Sequence, residues 1–100
     1  MIEEKDIMPL AYFAKEPFSG SYKGMRYRIE SIKEEKKNIG LLVWRWPQPF
    51  SFECTPDEEK VSESFGFDEE GRAGILEWLN KSYSDNEELY INAALKNGMN

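Results

Sequence analysis

The side chains in this sequence with chemical potential are carboxylates, lysines and arginines, and no histidine stands among them. That absence removes the Ser-His and Cys-His nucleophile pairings. The single cysteine, Cys54, cannot make up the usual zinc ligand sets without histidine, and with no imidazole to activate it, it is not a nucleophile. General acid–base work would fall to carboxylates, lysine or tyrosine. The densest set of such groups is Asp57, Glu58, Glu59, Glu63, Asp68, Glu69 and Glu70. It lacks the ligand spacing and central glycine of an EF-hand loop. Acids in the first turn of a helix complement its dipole, which accounts for most of these positions without a metal. The glycines of "GFDEEGRAG" precede a helix as phosphate loops do, but three acids stand where a phosphate would approach, and the Gly-Lys-Ser/Thr signature is missing. No catalytic residue, metal site or cofactor is assigned.

What remains is recognition by charge and by aromatic surface. The net charge of −6 is unevenly spread. From Lys23 to Arg45, seven basic residues stand against three acids; from Glu53 to Glu70, eight acids stand against Lys60. Such a bipolar surface steers charged partners, and rows of carboxylates also mimic phosphates in another protein's nucleic-acid site. The acidic side, represented by Asp57, Glu58, Glu59, Asp68, Glu69 and Glu70, is the first candidate for partner binding.

The second candidate is the aromatic–proline stretch "GLLVWRWPQPFSFEC". Burying one tryptophan removes about 150–250 Å² from water. At ~25 cal/mol/Å² this is a gross contribution of roughly 4–6 kcal/mol. A domain of 100 residues cannot leave both Trp44 and Trp46 exposed without losing much of its core. The expectation is that Trp44 and Trp46 share the core face and meet Ile75, Leu79 and Tyr83. The alternative sets Trp46, Pro47, Pro49 and Phe50 at an edge offered to a partner. A further alternative places Arg26, Tyr27, Arg28 and Arg45 together as a basic and aromatic platform for single-stranded nucleic acid, although a chain of pI ≈ 4.7 repels phosphate elsewhere.

These groups must be positioned by a small set of elements. Residues 1–20 read as an N-terminal arm, with Pro9 and Pro17 against a continuous helix. Residues 21–100 read as a single α+β domain. "MRYRIESI" alternates, with Met25, Tyr27 and Ile29 on one side and Arg26, Arg28 and Glu30 on the other, as a half-buried strand does. "KEEKKN" follows as a hairpin loop, with Asn38 and Gly40 able to take φ > 0. "IGLLVWRW" is the return strand, apolar on both faces, and "VSESFGF" is a third strand. "TPDEEK" reads as a helical turn capped by Thr55. Asp68 caps a helix on which Ile75, Leu79 and Tyr83 recur at i, i+4 and i+8; Gly71 and Gly74 weaken its first turns by roughly 1 kcal/mol each. Ser84 or Asp85 opens a second helix, which Gly98 can end. The expected architecture is a three-stranded antiparallel meander followed by two C-terminal helices, β-β-β-α-α. Three strands and two helices leave the two-faced strand partly uncovered, which admits a homodimer.

The phrases "FSGSYKGMRYRIE", "WPQPFSFECTPDEEK", "F-x-FDEEG" and "EWLNKSY" resemble a group of small uncharacterised proteins of anaerobic, low-GC Gram-positive bacteria, often carried on mobile elements. The resemblance covers roughly residues 18–83. Some members bear an acetyltransferase label, which would make this chain an acyltransferase-like remnant. An acetyl-CoA site needs a glycine-rich run of backbone N–H groups at a helix N-terminus in a basic or neutral setting, and the sequence has none. The resemblance implies an accessory protein of a mobile element and supplies no catalytic residue.

The expected function is therefore a non-enzymatic, acidic protein-interaction module, of the kind that inhibits or regulates a host factor and is carried by a mobile element, with nucleic-acid binding as the alternative. No run of ~20 apolar residues is present to span a bilayer. The acidic start without an apolar h-region and the lone cysteine point to the cytoplasm.

Overall fold

The computed structural model describes the backbone of residues 2–47 and 52–98, and their side chains except at 94 and 96–98. The architecture is α+β: an antiparallel sheet with helices at the C-terminus. The sheet has four strands rather than three, in the order β1 (Phe18–Tyr22), β2 (Met25–Glu34), β3 (Lys37–Pro47) and β4 (Val61–Phe65). A 3₁₀ turn (Glu4–Asp6) and a short turn of α-helix, α1 (Leu10–Phe13), precede them, and α2 (Glu69–Asp85) and α3 (Glu87–Gly98) follow. No described helix is long and apolar enough to cross a membrane.

The additional strand, β1, is spelled Phe-Ser-Gly-Ser-Tyr and reads as a turn by composition. Phe18, Gly20 and Tyr22 nevertheless alternate onto one face, opposite Ile29, Tyr27 and Met25 of β2. Gly20 is there because the Tyr27 ring lies over it: a Cβ would come 2.6 Å from the ring's Cζ and hydroxyl. The boundary drawn between arm and domain at residue 20 falls inside this strand.

Both hairpins turn in two residues. Lys23 and Gly24 have φ of 43° and 96°, and Glu35 and Lys36 have φ of 50° and 69°. Positive φ at both central residues matches the right-handed twist of the flanking strands. Glu35 and Lys36 take these angles, not Asn38 and Gly40, at a cost of roughly 1–2 kcal/mol per non-glycine residue.

The register that starts from this second turn does not run on. Glu34 pairs with Lys37 and Lys33 with Asn38, but the next pair is Ile32 with Gly40. Ile39 is an extra residue on β3, half exposed at 53%. Because side chains alternate with period two, one extra residue moves everything beyond it to the other face. The turn's own register would set Tyr27 opposite Trp44 and Met25 opposite Trp46. The observed pairs are Tyr27 with Arg45, Ile29 with Val43, Arg28 with Trp44 and Arg26 with Trp46. The core face of β3 therefore carries Leu41 and Val43, and the expected meeting of Trp44 and Trp46 with Ile75, Leu79 and Tyr83 does not occur.

The core lies between this face and the helices. Met25, Ile29, Leu41, Val43, Ile75, Leu79 and Tyr90 are fully buried in it. Asp68 caps α2, its Oδ1 accepting from the Gly71 amide at 2.6 Å. The two glycines expected to weaken this helix are required by close approach. A Cβ on Gly71 would overlap the Gly66 carbonyl, and one on Gly74 would lie 2.8 Å from the Phe65 ring. Asn86, whose side-chain amide donates to the Ser82 carbonyl at 2.9 Å, separates α2 from α3.

The N-terminal arm is docked rather than loose. Ile2, Ile7 and Phe13 are 2%, 4% and 1% exposed. Asn80 clamps the Ile2 backbone from both sides, accepting from its N–H at 2.8 Å and donating to its carbonyl at 2.9 Å. Two helical turns earlier, the Arg72 Nε donates to the Met8 carbonyl at 2.9 Å, and its Nη1 meets the Glu4 carboxylate at 2.8 Å. Positions 72 and 80 fall on one stripe of α2.

The bulge can be tested at Ile39 itself. Ile39→Ala should change stability by no more than about 0.5 kcal/mol, because the side chain is exposed. Deleting Ile39 should keep the cooperative urea transition, because the turn's own register then runs from Lys33 opposite Asn38 straight to Ile32 opposite Gly40, and Val43 stays opposite Ile29. A deletion variant that no longer unfolds cooperatively would show that the pairing beyond Gly40 does not follow from one extra residue.

Candidate functional site

The residues singled out by type and spacing fall on three surfaces. The first is the sheet face away from the helices, where Arg26, Arg28, Glu30, Trp44 and Trp46 stand together by strand parity. Residues 52–60 fold back over it. Phe52 lies 5.2 Å from Trp44 and 5.6 Å from Trp46, edge to face. Arg28 stacks on the Phe52 ring at 4.8 Å and Lys60 at 4.1 Å. Lys60 also donates to the Phe52 carbonyl at 3.2 Å and pairs with Asp57 at 3.4 Å. The Trp44 indole N–H donates to Glu30 at 3.3 Å, and Arg28 pairs with Glu30 at 3.6 Å. Alternating rings and cations of this kind strengthen one another when water is excluded. Trp46 is 2% exposed, so it has no surface to offer a partner. Pro47 is half buried, and Pro49 and Phe50 lie outside the described residues. Residues 52–60 thus cover the Trp44–Trp46 part of the second face of β3 within one chain. Cys54 sits at the margin of this cover with an exposed thiol.

The second surface is the basic platform, and the structure divides it. Arg26 and Arg28 lie on the face just described. Tyr27, 3% exposed, points into the core. Arg45 is opposite Tyr27, beneath the helices: its Nη1 donates to the Tyr90 hydroxyl at 2.6 Å, and its guanidinium stacks on Trp78 at 5.4 Å. The four residues named for nucleic acid do not converge. Burial pushes the Tyr27 phenol above its ordinary value, and Asp6 adds to the shift. Tyr83 is raised by burial and then by Glu87. Neither hydroxyl is prepared for proton transfer near neutral pH.

The third surface is acidic and open. Asp57, Glu58 and Glu59 form a single turn of 3₁₀ helix with all three side chains exposed; Pro56, rather than Thr55, is its first flanking residue, and Thr55 is buried. Asp68, Glu69 and Glu70 are exposed around the start of α2, Asp68 as its cap and Glu69 paired with Arg72 at 3.3 Å. Among the described residues no cluster of three or more acids or cysteines is arranged to hold a metal ion.

Between these acids runs β4, the last strand of the sheet, with one side paired to β3. Val61, Ser62, Glu63 and Ser64 are all exposed. Two grooves flank the strand on its helix side. One, of about 320 Å³, lies between Phe65 and Trp78 and is rimmed by Glu63 and Glu77. The other, of about 350 Å³, lies between Val61 and Leu89 and is rimmed by Glu58 and Glu59, with Arg45 and Tyr90 also lining it. Val61 and Leu89 are large apolar side chains left 41% and 51% exposed. The amide of Ser64 donates to the Glu63 carboxylate at 3.0 Å, so it points away from β3 and is held by a side chain. The grooves depend on how α2 and α3 cross β4, which local sequence does not show, whereas the acids that rim them at 58, 59 and 63 belong to the dense acidic run named from sequence.

Comparison of the chain with protein-family models, curated proteins and solved structures finds no match.

The cover over the tryptophans can be opened selectively. Phe52→Ala should cost about 2 kcal/mol, less than a fully buried phenylalanine because the ring is only half buried. It should also shift tryptophan emission to the red as water reaches Trp46. Unchanged emission and an unchanged urea midpoint would contradict the packing described.

Proposed function

We propose that this chain is a non-enzymatic protein-interaction module that presents the acidic rim of β4 to a partner carrying complementary basic groups. One observation carries this reading: a solvent-exposed strand edge, with no further strand beside it among the described residues, is lined by Glu58, Glu59, Glu63 and Glu77, while the aromatic residues of β3 are occupied within the chain. A sheet edge is a liability that folded proteins usually cover, shorten or guard with charge. Here the edge is short and charged, and apolar side chains are nevertheless left open beside it. Complementary charge brings a partner in quickly and in register, while the apolar contacts supply the affinity. The resemblance to mobile-element proteins supports the finer reading, an inhibitor or regulator of a host factor.

The test is capture from a lysate of the organism that expresses the chain, with and without nuclease, followed by sizing of the recovered complex. A protein partner in stoichiometric amount is expected. It should weaken as salt rises, disappear with the triple change Glu58→Lys, Glu59→Lys and Glu63→Lys, and persist in the Arg26→Ala/Arg28→Ala variant and after nuclease. Recovery of nucleic acid that is lost with the arginine variant would favour the alternative reading. Indifference of the captured protein to the charge reversal would remove the acidic rim from the interaction.

A further inference from the structure

We propose that β4 docks an extended partner segment as a fifth strand, and that the segment has the pattern apolar–x–basic–x–apolar. This inference rests on the protein-interaction reading above and specifies its site. In an antiparallel ladder, residues directly opposite one another share a face. Val61, Glu63 and Phe65 all face the helix side, opposite Arg45, Val43 and Leu41. A strand added to the free edge would therefore aim three of its own side chains, at positions p, p+2 and p+4, over the grooves beside Val61, Glu63 and Phe65.

The spacing fits. Val61 and Phe65 are four residues apart in an extended strand, about 13 Å. The apolar openings between Val61 and Leu89 and between Phe65 and Trp78 sit at those two ends. The centre is Glu63, with Glu77 across the groove and Glu58 and Glu59 toward the Val61 end. The basic groups lining the grooves are already engaged, Lys81 with Asp85 at 3.2 Å and Arg45 with the Tyr90 hydroxyl. A lysine or arginine at p+2 is the complementary residue. The pattern reads the same in both directions, so the three pockets alone do not fix the strand's polarity.

Glu63 has a second role in this arrangement. Its carboxylate occupies the outward amide of Ser64, as a guard on the edge would. A basic side chain at p+2 draws the carboxylate to itself, and the freed amide becomes a ladder donor for the incoming strand. The charge that repels other edges thus admits this one. A second copy of the chain is disfavoured as occupant, because the antiparallel register that pairs all five residues of β4 with another β4 sets Glu63 against Glu63.

The experiment uses the full chain labelled with ¹⁵N and a synthetic peptide, acetyl-Thr-Val-Thr-Lys-Thr-Leu-Thr-amide, at millimolar concentration. Amide shifts confined to residues 61–65 and the Trp78 indole are expected. A peptide with glutamate in place of the central lysine should bind roughly an order of magnitude more weakly, since an attractive cross-strand pair becomes a repulsive one. Glu63→Lys should reverse that preference. Ser62→Pro, which removes an outward amide and leaves the β3 ladder intact, should abolish binding while the rest of the spectrum stays in place. Shifts centred elsewhere, equal binding of the two peptides, or failure of the Glu63→Lys reversal would overturn the proposal. So would the same shifts appearing on concentration of the chain alone, which would make the occupant a second copy. If the peptide fails while an acid-dependent protein partner is still captured, strand addition is wrong and the interaction reading survives. If both fail, the reading itself falls.

Discussion

A single residue without a cross-strand partner, Ile39, decides what each face of the sheet contains. Two registers compete after the Glu35-Lys36 turn. The straight one keeps every ladder bond but sets Arg26 directly opposite Arg45 and places both indoles beside Tyr27 and Met25 in the layer under α2. Like charges opposed across a ladder repel, and two indoles where Arg45 and Pro47 now stand would overfill a close-packed layer. The bulged register gives up one pair, turns Ile39 to water and separates the arginines. Arg45 then sits beneath the helices, where Tyr90 and Trp78 receive it, and Arg26 and Arg28 face Trp46 and Trp44.

From that choice the two sides of the sheet acquire different kinds of cohesion. The helix side is held by apolar burial, with Ile75, Leu79 and Tyr90 against Ile29, Leu41 and Val43. The other side is held by stacked rings and cations, with Phe52 between Arg28, Lys60 and the two tryptophans. A chain of this size has few large aromatics to spare. Once both tryptophans of β3 are used internally, the exposed edge at β4 is left to carboxylates, serines and a few aliphatic side chains. That is why recognition shifts from the aromatic stretch to the edge at β4.

Much of this was legible in the residues, and the failures have specific causes. The alternation of Met25, Tyr27 and Ile29, the stripe of Ile75 and Leu79, and the Asp68 cap each depend on local spacing, and each formed as that spacing requires. β1 was obscured because Gly20 is a poor strand residue in general and a necessary one under the Tyr27 ring. The docking of the arm depends on Asn80 and Arg72 reaching backbone groups 78 and 64 positions away, which no local pattern reveals. The placement of the tryptophans was reversed by one bulged residue, a feature smaller than the resolution of periodicity. The acidic residues were legible as a set. Their arrangement around an open strand edge required the helices to be in place.

The parity of β3 underlies both the buried tryptophans and the acidic edge, and it is open to direct measurement. Aromatic side chains report it through nuclear Overhauser contacts in the ¹³C,¹⁵N-labelled chain. The indole protons of Trp44 and Trp46 should show cross-peaks to the Phe52 ring and none to the methyl groups of Ile75 and Leu79, while Val43 methyls meet those of the helix. Cross-peaks from either indole to Ile75 or Leu79, with Val43 facing the Phe52 side, would contradict the bulged register and, with it, the account of which surface is free to bind.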